Sequence, residues 1–468
     1  MTAKQLGLLG GLAVFLLMLM IGPPSSMATP AWHVAALTIL MAIWWMTEAL
    51  PLTATALLPF LALPIMGVMD AKAVAKEYYS DILFLILGGA FVALAIERAG
   101  LHRRAALAIL KRAGSSAGAL LFSFMIATAL LSMLISNTST TLIMLPIALA
   151  VLAAGGVKEG ETDGMAGALV MGIAFAATIG GLGTLVGSPT NAIAAGLIEK
   201  QLGIEISFLT WMAYGLPIVL ISVPICAFIL MRVQHVGRAS FDAQSARAAI
   251  GEPGRWSRAE KRLLPVILLV IGLWLAQPWL EPYLPKGAVT DGSIAVLGGL
   301  LLFVLPDGDG RPLLLWKEAD RAPWGVIMMF GGGLALAAGI SASGLDDWLG
   351  EALKPLAGVH PLIIAAAVVA LVILITEFAS NVATASGVMP VVVGLITATG
   401  ADPWLLAMSA SIAASWGYMM PSGTGPNALA WSTNHIAMPR MVKAGALLDL
   451  AGIPLIVGLV WAVASVLN

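Results

Sequence analysis

The chain has 468 residues, of which 60% are hydrophobic and only 10% are charged. Water-soluble domains carry about 25% charged residues, so this composition excludes an ordinary soluble protein and indicates a polytopic membrane protein. The net charge of -1 says nothing about partners, because orientation in a membrane depends on where the charges lie. The single cysteine, Cys226, excludes an intrachain disulfide and a cysteine-bound metal cluster.

A membrane-spanning helix needs about 20 mostly apolar residues, and we predict eleven such crossings. The first follows one basic residue, Lys4, and we interpret it as a retained helix within residues 1–30 rather than a cleaved leader. The predicted crossings are 6–22, 31–49, 52–69, 81–98, 165–199, 206–231, 262–279, 289–305, 324–342, 402–433 and 440–467.

Two further apolar stretches, 113–157 and 355–399, each contain a short polar motif halfway along. The first motif reads Ser136-Asn137-Thr138, and Ser-Asn recurs at Ser380-Asn381, 244 positions later, followed by Val382. We predict that each stretch is a re-entrant hairpin that returns to the side from which it entered.

The basic residues predict opposite orientations for the two halves of the chain. Segment 98–112 holds five basic residues and no acid, so we place it in the cytoplasm. The corresponding segment, 342–356, is mainly acidic and faces the outside. We therefore predict two inverted repeats, 31–234 and 262–468, joined by a cytoplasmic linker at 235–261, with the first hairpin on the cytoplasmic side and the second on the outer side.

Each repeat also contains a helix broken by glycine and proline, within 165–199 and within 402–433. The breaks read Gly187-Ser188-Pro189-Thr190-Asn191 and Gly423-Thr424-Gly425-Pro426-Asn427. Paired interruptions of this kind indicate a transporter's binding site, because a broken helix frees backbone groups at membrane depth. Freed carbonyls and Ser, Thr and Asn oxygens suit sodium, whereas helix N-termini suit an anion.

The hairpins and broken helices contain no Lys or Arg. A bound anion would therefore have to be met by co-bound cations and helix dipoles, which is a physical reason for coupling anion uptake to sodium. Intramembrane Glu48 and Glu377 could serve as proton or ion ligands, but we favour structural roles because neither has a counterpart in the other repeat.

Other function classes find little support in the sequence. A membrane-embedded enzyme is disfavoured because the chain has no His-Glu-x-x-His helix and no paired intramembrane aspartates. A proton antiporter is disfavoured by the same lack of an acidic pair, and nothing indicates binding of nucleic acid.

Taken together, the motifs resemble those of the divalent anion/sodium symporter family. The resemblance rests on Trp-Trp-x-Thr-Glu-Ala-Leu-Pro at 44–51, the paired Ser-Asn motifs, Thr376-Glu377-Phe378 and the two glycine-containing breaks. It implies an all-α transporter of the bacterial cytoplasmic (inner) membrane, with a scaffold that forms homodimers among membrane lipid and a transport domain that moves as an elevator. The implied function is sodium-coupled uptake of a small di- or tricarboxylate of the succinate, malate and fumarate class.

The resemblance also implies two or more sodium sites and a substrate site between them. Sodium 1 would use Ser132, Ser136, Asn137 and Gly187, and sodium 2 would use Thr376, Ala379, Asn381 and Gly423. The anionic substrate would contact Asn137, Thr138, Ser188, Asn381, Val382 and Thr424. Val382 departs from the family pattern by replacing a threonine, which leaves the sodium ligands intact but bears on the identity of the anion. A sodium-independent carboxylate exchanger and a sodium/sulfate symporter of the same fold stay open as alternatives.

Overall fold

The computed structural model describes residues 2–114, 116–237 and 241–467. Within these ranges the regular structure is helical, apart from one isolated bridge between Pro306 and Pro312. Ten of the described helices are long and apolar enough to cross a membrane. The prediction of an all-α polytopic membrane protein is therefore confirmed.

Twelve helices lie in the described part of the first half. They are α1 (Ala3–Ile21), α2 (Thr29–Thr47), α3 (Leu52–Thr55), α4 (Leu58–Ile65), α5 (Ala71–Glu77), α6 (Asp81–Ala99), α7 (Leu101–Leu110), α8 (Ala117–Ser132), α9 (Asn137–Ala154), α10 (Met165–Gly181), α11 (Pro189–Leu202) and α12 (Phe208–Val233).

A short helix in the linker, α13 (Ala243–Ala248), precedes the second half. The remaining helices are α14 (Arg258–Leu280), α15 (Asp291–Val304), α16 (Trp316–Ala319), α17 (Trp324–Ser343), α18 (Leu345–Leu353), α19 (Pro361–Phe378), α20 (Asn381–Thr399), α21 (Ser409–Ala413), α22 (Gly425–Trp431) and α23 (Met438–Leu467). Short 3-10 turns lie at Glu281–Tyr283 and Lys354–Gly358, and a π-helical turn at Trp404–Met408 leads into α21.

The predicted crossing 52–69 differs from the structure, which divides it into α3 and α4 and ends it at Ile65. Pro59 lies at the start of α4 and has no backbone N–H with which to continue the hydrogen-bonding of α3. The chain then turns into α5, where the Asp70 side chain accepts a hydrogen bond from the Ala73 amide at 2.9 Å. The third crossing is consequently short and interrupted.

The two predicted hairpins are helix–turn–helix units, α8–α9 and α19–α20. Their second arms begin in the same way, because Ser136 and Ser380 each cap a helix through the side-chain oxygen. Ser136 accepts from the Ser139 amide and Ser380 from the Ala383 amide, both at 3.2 Å. The repeated Ser-Asn motif therefore marks the start of the second arm in each half.

Repeated glycines allow helices from opposite halves to approach closely. A Cβ atom added at Gly88 of α6 would lie 2.3 Å from the backbone carbon of Ala295 in α15. A Cβ atom added at Gly332, 244 positions later in α17, would lie 2.2 Å from the carbonyl oxygen of Ala56, beside α3. Each half thus places a glycine against a helix of the other half, where any larger residue would separate the pair.

The linker joins the base of the first hairpin to the amphipathic helix α7 that precedes it. Arg104 of α7 pairs with Glu260 at 2.7 Å, and Lys111 pairs with Glu252 at 2.8 Å. On the hairpin side, the Asp242 amide donates to the Gly155 carbonyl at 3.1 Å. The polar segment between the halves is therefore packed against the hairpin rather than detached from it.

Candidate functional site

The first hairpin contains a group of three oxygens at the point where α8 ends. The Ser132 hydroxyl lies 2.7 Å from the side-chain oxygen of Asn137 and 2.7 Å from the carbonyl oxygen of Ala177. Ala177 belongs to α10, the first part of the broken helix. The group thus joins both arms of the hairpin to the interrupted helix.

The second hairpin contains a matching group. The Thr376 hydroxyl lies 2.8 Å from the side-chain oxygen of Asn381 and 2.7 Å from the carbonyl oxygen of Ala414. Thr376 and Asn381 stand 244 positions after Ser132 and Asn137, and Ala414 adjoins the second broken helix. The structure therefore brings the same chemical groups together twice.

Each group has one proton to share among three oxygens. A hydroxyl donates a single hydrogen bond, whereas both of its close neighbours in each group are acceptors. One oxygen–oxygen contact in each group is therefore left without a donor. Because the Ser132 and Thr376 hydroxyls are buried, a cation beside them would remove the repulsion, which is the chemistry expected of a sodium site built from hydroxyl, amide and backbone oxygens.

Rotation of the Asn137 amide offers a second way to satisfy the first group. As placed, its oxygen faces only acceptors, and after a half-turn its nitrogen would reach Ser132 Oγ at 2.7 Å, the Ala177 carbonyl at 3.1 Å and the Gly187 carbonyl at 3.3 Å. The Gly187 carbonyl is therefore close to the group. The oxygens of the first group can therefore be satisfied either by a bound cation or by a half-turn of the Asn137 amide.

Each helix break contains an asparagine whose side chain donates hydrogen bonds to nearby backbone carbonyls. Asn191 donates through its side chain to the carbonyls of Gly181 and Thr184, at 2.7 and 2.8 Å. Asn427, 236 positions after Asn191, donates to the Met420 carbonyl at 3.1 Å, and Met420 stands 236 positions after Thr184. These bonds satisfy carbonyls that the broken helices have freed.

The structural role predicted for Glu377 is confirmed. This fully buried carboxylate accepts hydrogen bonds from the backbone amides of Tyr418, Met419 and Met420. These amides belong to the unwound segment between α21 and α22, so Glu377 fixes the course of the second break. Glu48 has a different position, because it is exposed and forms an ion pair with Lys4 at 3.3 Å.

A second buried acid, Asp449, lies in α23, which packs against α19 and against residues 418 and 419 of the second break. The lack of an acidic pair, expected from the sequence, stays a prediction. Asp449 and Glu377 are 72 positions apart in the sequence, and the packing of α23 against α19 brings their helices together. No local motif could have revealed this packing.

The substrate candidates are only partly brought together. A cavity of about 210 Å³ lies between α6 and the first break, and its described lining includes Ser136, Ser139, Gly187 and Ser188. Thr138 meets the second break, since a Cβ atom added at Gly425 would lie 2.5 Å from Thr138 Oγ1. Asn381, Val382 and Thr424 are not among the described residues that line this cavity.

The two hairpin tips differ in exposure. Ser136 and Thr138 of the first tip are exposed, whereas Ser380, Asn381 and Val382 of the second tip are half-buried. Val382 packs against an apolar cluster that contains residues of α2, α4 and α17. The first tip is therefore the more accessible of the two in this structure.

Two oxygens of the site could not be named from the sequence. Both are backbone carbonyls, those of Ala177 and Ala414, and backbone groups leave no residue-specific signal. The position of the Ala414 carbonyl could not have been predicted from that of Ala177 by the spacing of the repeat. Ala177 and Ala414 are 237 positions apart, whereas the breaks that follow are 236 apart.

Comparison with known proteins gives a consistent result. Residues 2–467 match the family described as the sodium:sulfate symporter transmembrane region. The sodium-dependent dicarboxylate transporter SdcS of Staphylococcus saprophyticus is 39% identical over 473 residues, covering 98% of this chain and 91% of that protein. SdcS of Staphylococcus aureus strain MRSA252 is 38% identical over 457 residues, covering 95% of this chain and 88% of that protein.

Among solved structures, the YdaH transporter of Alcanivorax borkumensis, described as having an unusual topology, matches with a TM-score of 0.56. The alignment covers 91% of this chain and 98% of YdaH at 18% sequence identity, so the likeness concerns the fold alone. The match of nearly the whole chain to one family, together with relatives above one-third identity, shows that the chain belongs to the sodium:sulfate symporter family.

Proposed function

We propose that this chain is a secondary active transporter of the bacterial inner membrane that couples sodium influx to uptake of a small dicarboxylate. The observation that carries the proposal is the duplicated group around Ser132 and Thr376, in which each hydroxyl lies within 2.8 Å of an asparagine side chain and of a backbone carbonyl. The relatives named sodium-dependent dicarboxylate transporters support the same substrate class. In this proposal the protein supplies oxygens for sodium, and sodium supplies positive charge for the substrate.

The two groups are proposed to form two sodium sites. Ser132, Ser136, Asn137 and Gly187 would provide the first, with the Ala177 carbonyl added. Thr376, Ala379, Asn381 and Gly423 would provide the second, with the Ala414 carbonyl added. Support comes from the close approach of both glycines, since added Cβ atoms would lie 3.0 Å from the Ser132 carbonyl and 3.4 Å from the Glu377 carbonyl.

The dicarboxylate is proposed to lie between the two hairpin tips. Asn137, Thr138 and Ser188 would hold one carboxylate, and Asn381, Val382 and Thr424 would lie near the other. The contact of Thr138 with Gly425 supports this position, because it joins the tip of one repeat to the break of the other. The start of α11 has no side-chain cap, and the N-terminal end of a helix favours a negative charge.

An elevator movement is proposed to carry this site across the membrane within a homodimer. The amphipathic helices α7 and α18 connect the scaffold helices α6 and α17 to the hairpins, so they are placed to act as arms. The exposed first tip, predicted to be cytoplasmic, would make this the inward-facing state. In the outward-facing state, the second tip would become the accessible one.

Uptake into proteoliposomes tests the proposal. The purified protein should accumulate radiolabelled succinate when an inward sodium gradient is imposed, and should not do so when potassium replaces sodium. Protein-free liposomes provide the background. Exchange of internal for external succinate without sodium would contradict coupling, and sodium-driven uptake of sulfate in preference to succinate would contradict the substrate class.

A further inference from the structure

An arginine lines the cavity between α6 and the first break. The described lining of this cavity extends from Ser136, Ser139 and Ser188, at the hairpin tip and the break, to α6 and the segment before α17. Among these lining residues only Glu97 and Arg321 carry a charge. Because the hairpins and the breaks contain no Lys or Arg, Arg321 is the positive group that an anion in the cavity would meet.

The backbone of Arg321 is fixed although its side chain is exposed. The Arg321 amide donates to the Glu318 carbonyl at 3.2 Å, and the neighbouring Ala322 is buried in an apolar cluster with residues of α6. Arg98 of α6 holds the same segment through ion pairs with Asp307 at 2.7 Å and with Glu318 at 3.3 Å. The segment is therefore fastened to α6, which keeps Arg321 beside the cavity.

The guanidinium of Arg321 is held by one long ion pair. It lies 3.4 Å from a carboxylate oxygen of Glu97, and no other ion pair or side-chain hydrogen bond of Arg321 occurs in the described part of the chain. The Arg321 side chain is 65% exposed. Exposed pairs of this kind contribute little, whereas a guanidinium binds a well-placed carboxylate through two parallel hydrogen bonds. Arg321 can therefore exchange Glu97 for a carboxylate that enters the cavity.

We propose that Arg321 makes this cavity a carboxylate-binding subsite through which the dicarboxylate is released toward the cytoplasm. The inference rests on the proposed function, from which it takes the dicarboxylate and the elevator movement. The subsite lies on the predicted cytoplasmic side, because the basic segment 98–112 directly follows Glu97.

The position of Arg321 limits its contact with the substrate to one state. Arg321 is fastened to the scaffold, whereas Ser136 and Ser188 lie in the hairpin and the broken helix that are proposed to move. The arginine therefore meets the substrate in the inward-facing state and not in the outward-facing state. It attracts the anion on one side of the membrane without adding a charge to the site that travels.

Membrane vesicles of opposite orientation test the subsite. Everted vesicles present the cytoplasmic face and right-side-out vesicles present the outer face, so initial succinate uptake at saturating sodium gives a half-saturating concentration for each face. Arg321→Gln should raise this concentration about fivefold in everted vesicles, as expected for loss of an exposed charge pair, and should leave it unchanged in right-side-out vesicles. Arg321→Lys keeps the charge and should recover most of the loss.

The same segment supplies a matched control. Lys317 is exposed and is not among the described residues that line the cavity, so Lys317→Gln removes one positive charge without touching the subsite. It should leave the half-saturating succinate concentration unchanged on both faces.

Glu97→Gln provides a change of the opposite sign. It frees the guanidinium and removes a negative charge from the cavity wall, so the half-saturating concentration in everted vesicles should fall about twofold. A general loss of packing would not tighten binding on one face only. Added choline chloride should weaken wild-type binding on that face toward the Arg321→Gln value, because salt screens exposed charges.

The outcomes separate this inference from the proposed function. If wild type shows no sodium-driven succinate uptake in right-side-out vesicles, the proposed function fails and the inference fails with it. If wild type transports succinate but Arg321→Gln behaves like Lys317→Gln in everted vesicles, only the subsite is refuted. An equal rise on both faces would also refute it, because the effect would then arise in the moving site.

Discussion

Thr138 and Gly425 touch across the two repeats, so that a Cβ atom at Gly425 would lie 2.5 Å from the Thr138 hydroxyl oxygen. This distance is shorter than any ordinary carbon–oxygen contact, and only glycine fits beside Thr138 in its present rotamer. The contact joins the exposed tip of the first hairpin to the N-terminus of α22. Gly425 therefore controls where the Thr138 hydroxyl points.

Gly425→Ala should displace the Thr138 side chain and weaken succinate binding several-fold, with little effect on the sodium concentration for half-maximal uptake. The reason is that Thr138 belongs to the proposed substrate site but not to the sodium sites. Succinate concentration dependence at saturating sodium gives the measurement. Gly387→Ala in α20 is the matched control, because nothing lies within 4 Å of a Cβ atom there. Equal succinate affinity in both variants would remove Gly425 from the site.

If the two repeats have the opposite orientations that we predict, they should be labelled from opposite sides of the membrane. Arg103 of α7 and Ala352 of α18 are both exposed, and they lie in the basic and the acidic segments that follow the scaffold helices. Arg103→Cys should react with an impermeant thiol reagent only from the cytoplasm, and Ala352→Cys only from outside. Wild type should stay unlabelled, because Cys226 is buried. Reaction of both variants from one side would contradict inverted repeats.

Much of the fold follows from local sequence signals. The hairpins, their Ser136 and Ser380 caps and the broken helices all coincide with the predicted motifs, because polar residues inside apolar stretches have few structural alternatives. The interruption between α3 and α4 was missed, although Pro59 is a visible signal for it.

The chemistry of the site was harder to anticipate where it depends on packing. The packing of α23, which carries the buried Asp449, against α19 joins helices far apart in the chain, and the carbonyls of Ala177 and Ala414 have no side-chain signature. The repeat predicts that Ser132 and Asn137 have partners in the other half. It does not predict which backbone atoms complete each group. The offset between the repeats changes by one residue between the carbonyls of Ala177 and Ala414, which are 237 positions apart, and the breaks that follow, which are 236 apart.

Removal of either asparagine amide should weaken sodium coupling. Asn137→Ala and Asn381→Ala each delete one oxygen of a proposed site, and an uncompensated buried partner costs about 1–3 kcal/mol. The sodium concentration for half-maximal uptake should therefore rise by about fivefold or more in each variant. Ser123→Ala is a matched control in the first hairpin, because the Ser123 hydroxyl bonds only to the Ala119 carbonyl of its own helix. Unchanged sodium dependence in both asparagine variants would refute the assignment.

The asymmetry between Thr138 and Val382 predicts how the substrate is held. These residues occupy equivalent positions after the two Ser-Asn pairs, and valine replaces the hydroxyl of threonine with a methyl group of similar shape. A hydrogen bond to a charged carboxylate contributes about 1.5–3 kcal/mol, so Thr138→Val should weaken succinate binding about tenfold or more. Val382→Thr should tighten it by a comparable factor when the second carboxylate reaches that tip. Competition by succinate, citrate and sulfate, measured on both variants, checks the pair. Succinate affinity that is indifferent to both changes would place the carboxylates away from the hairpin tips.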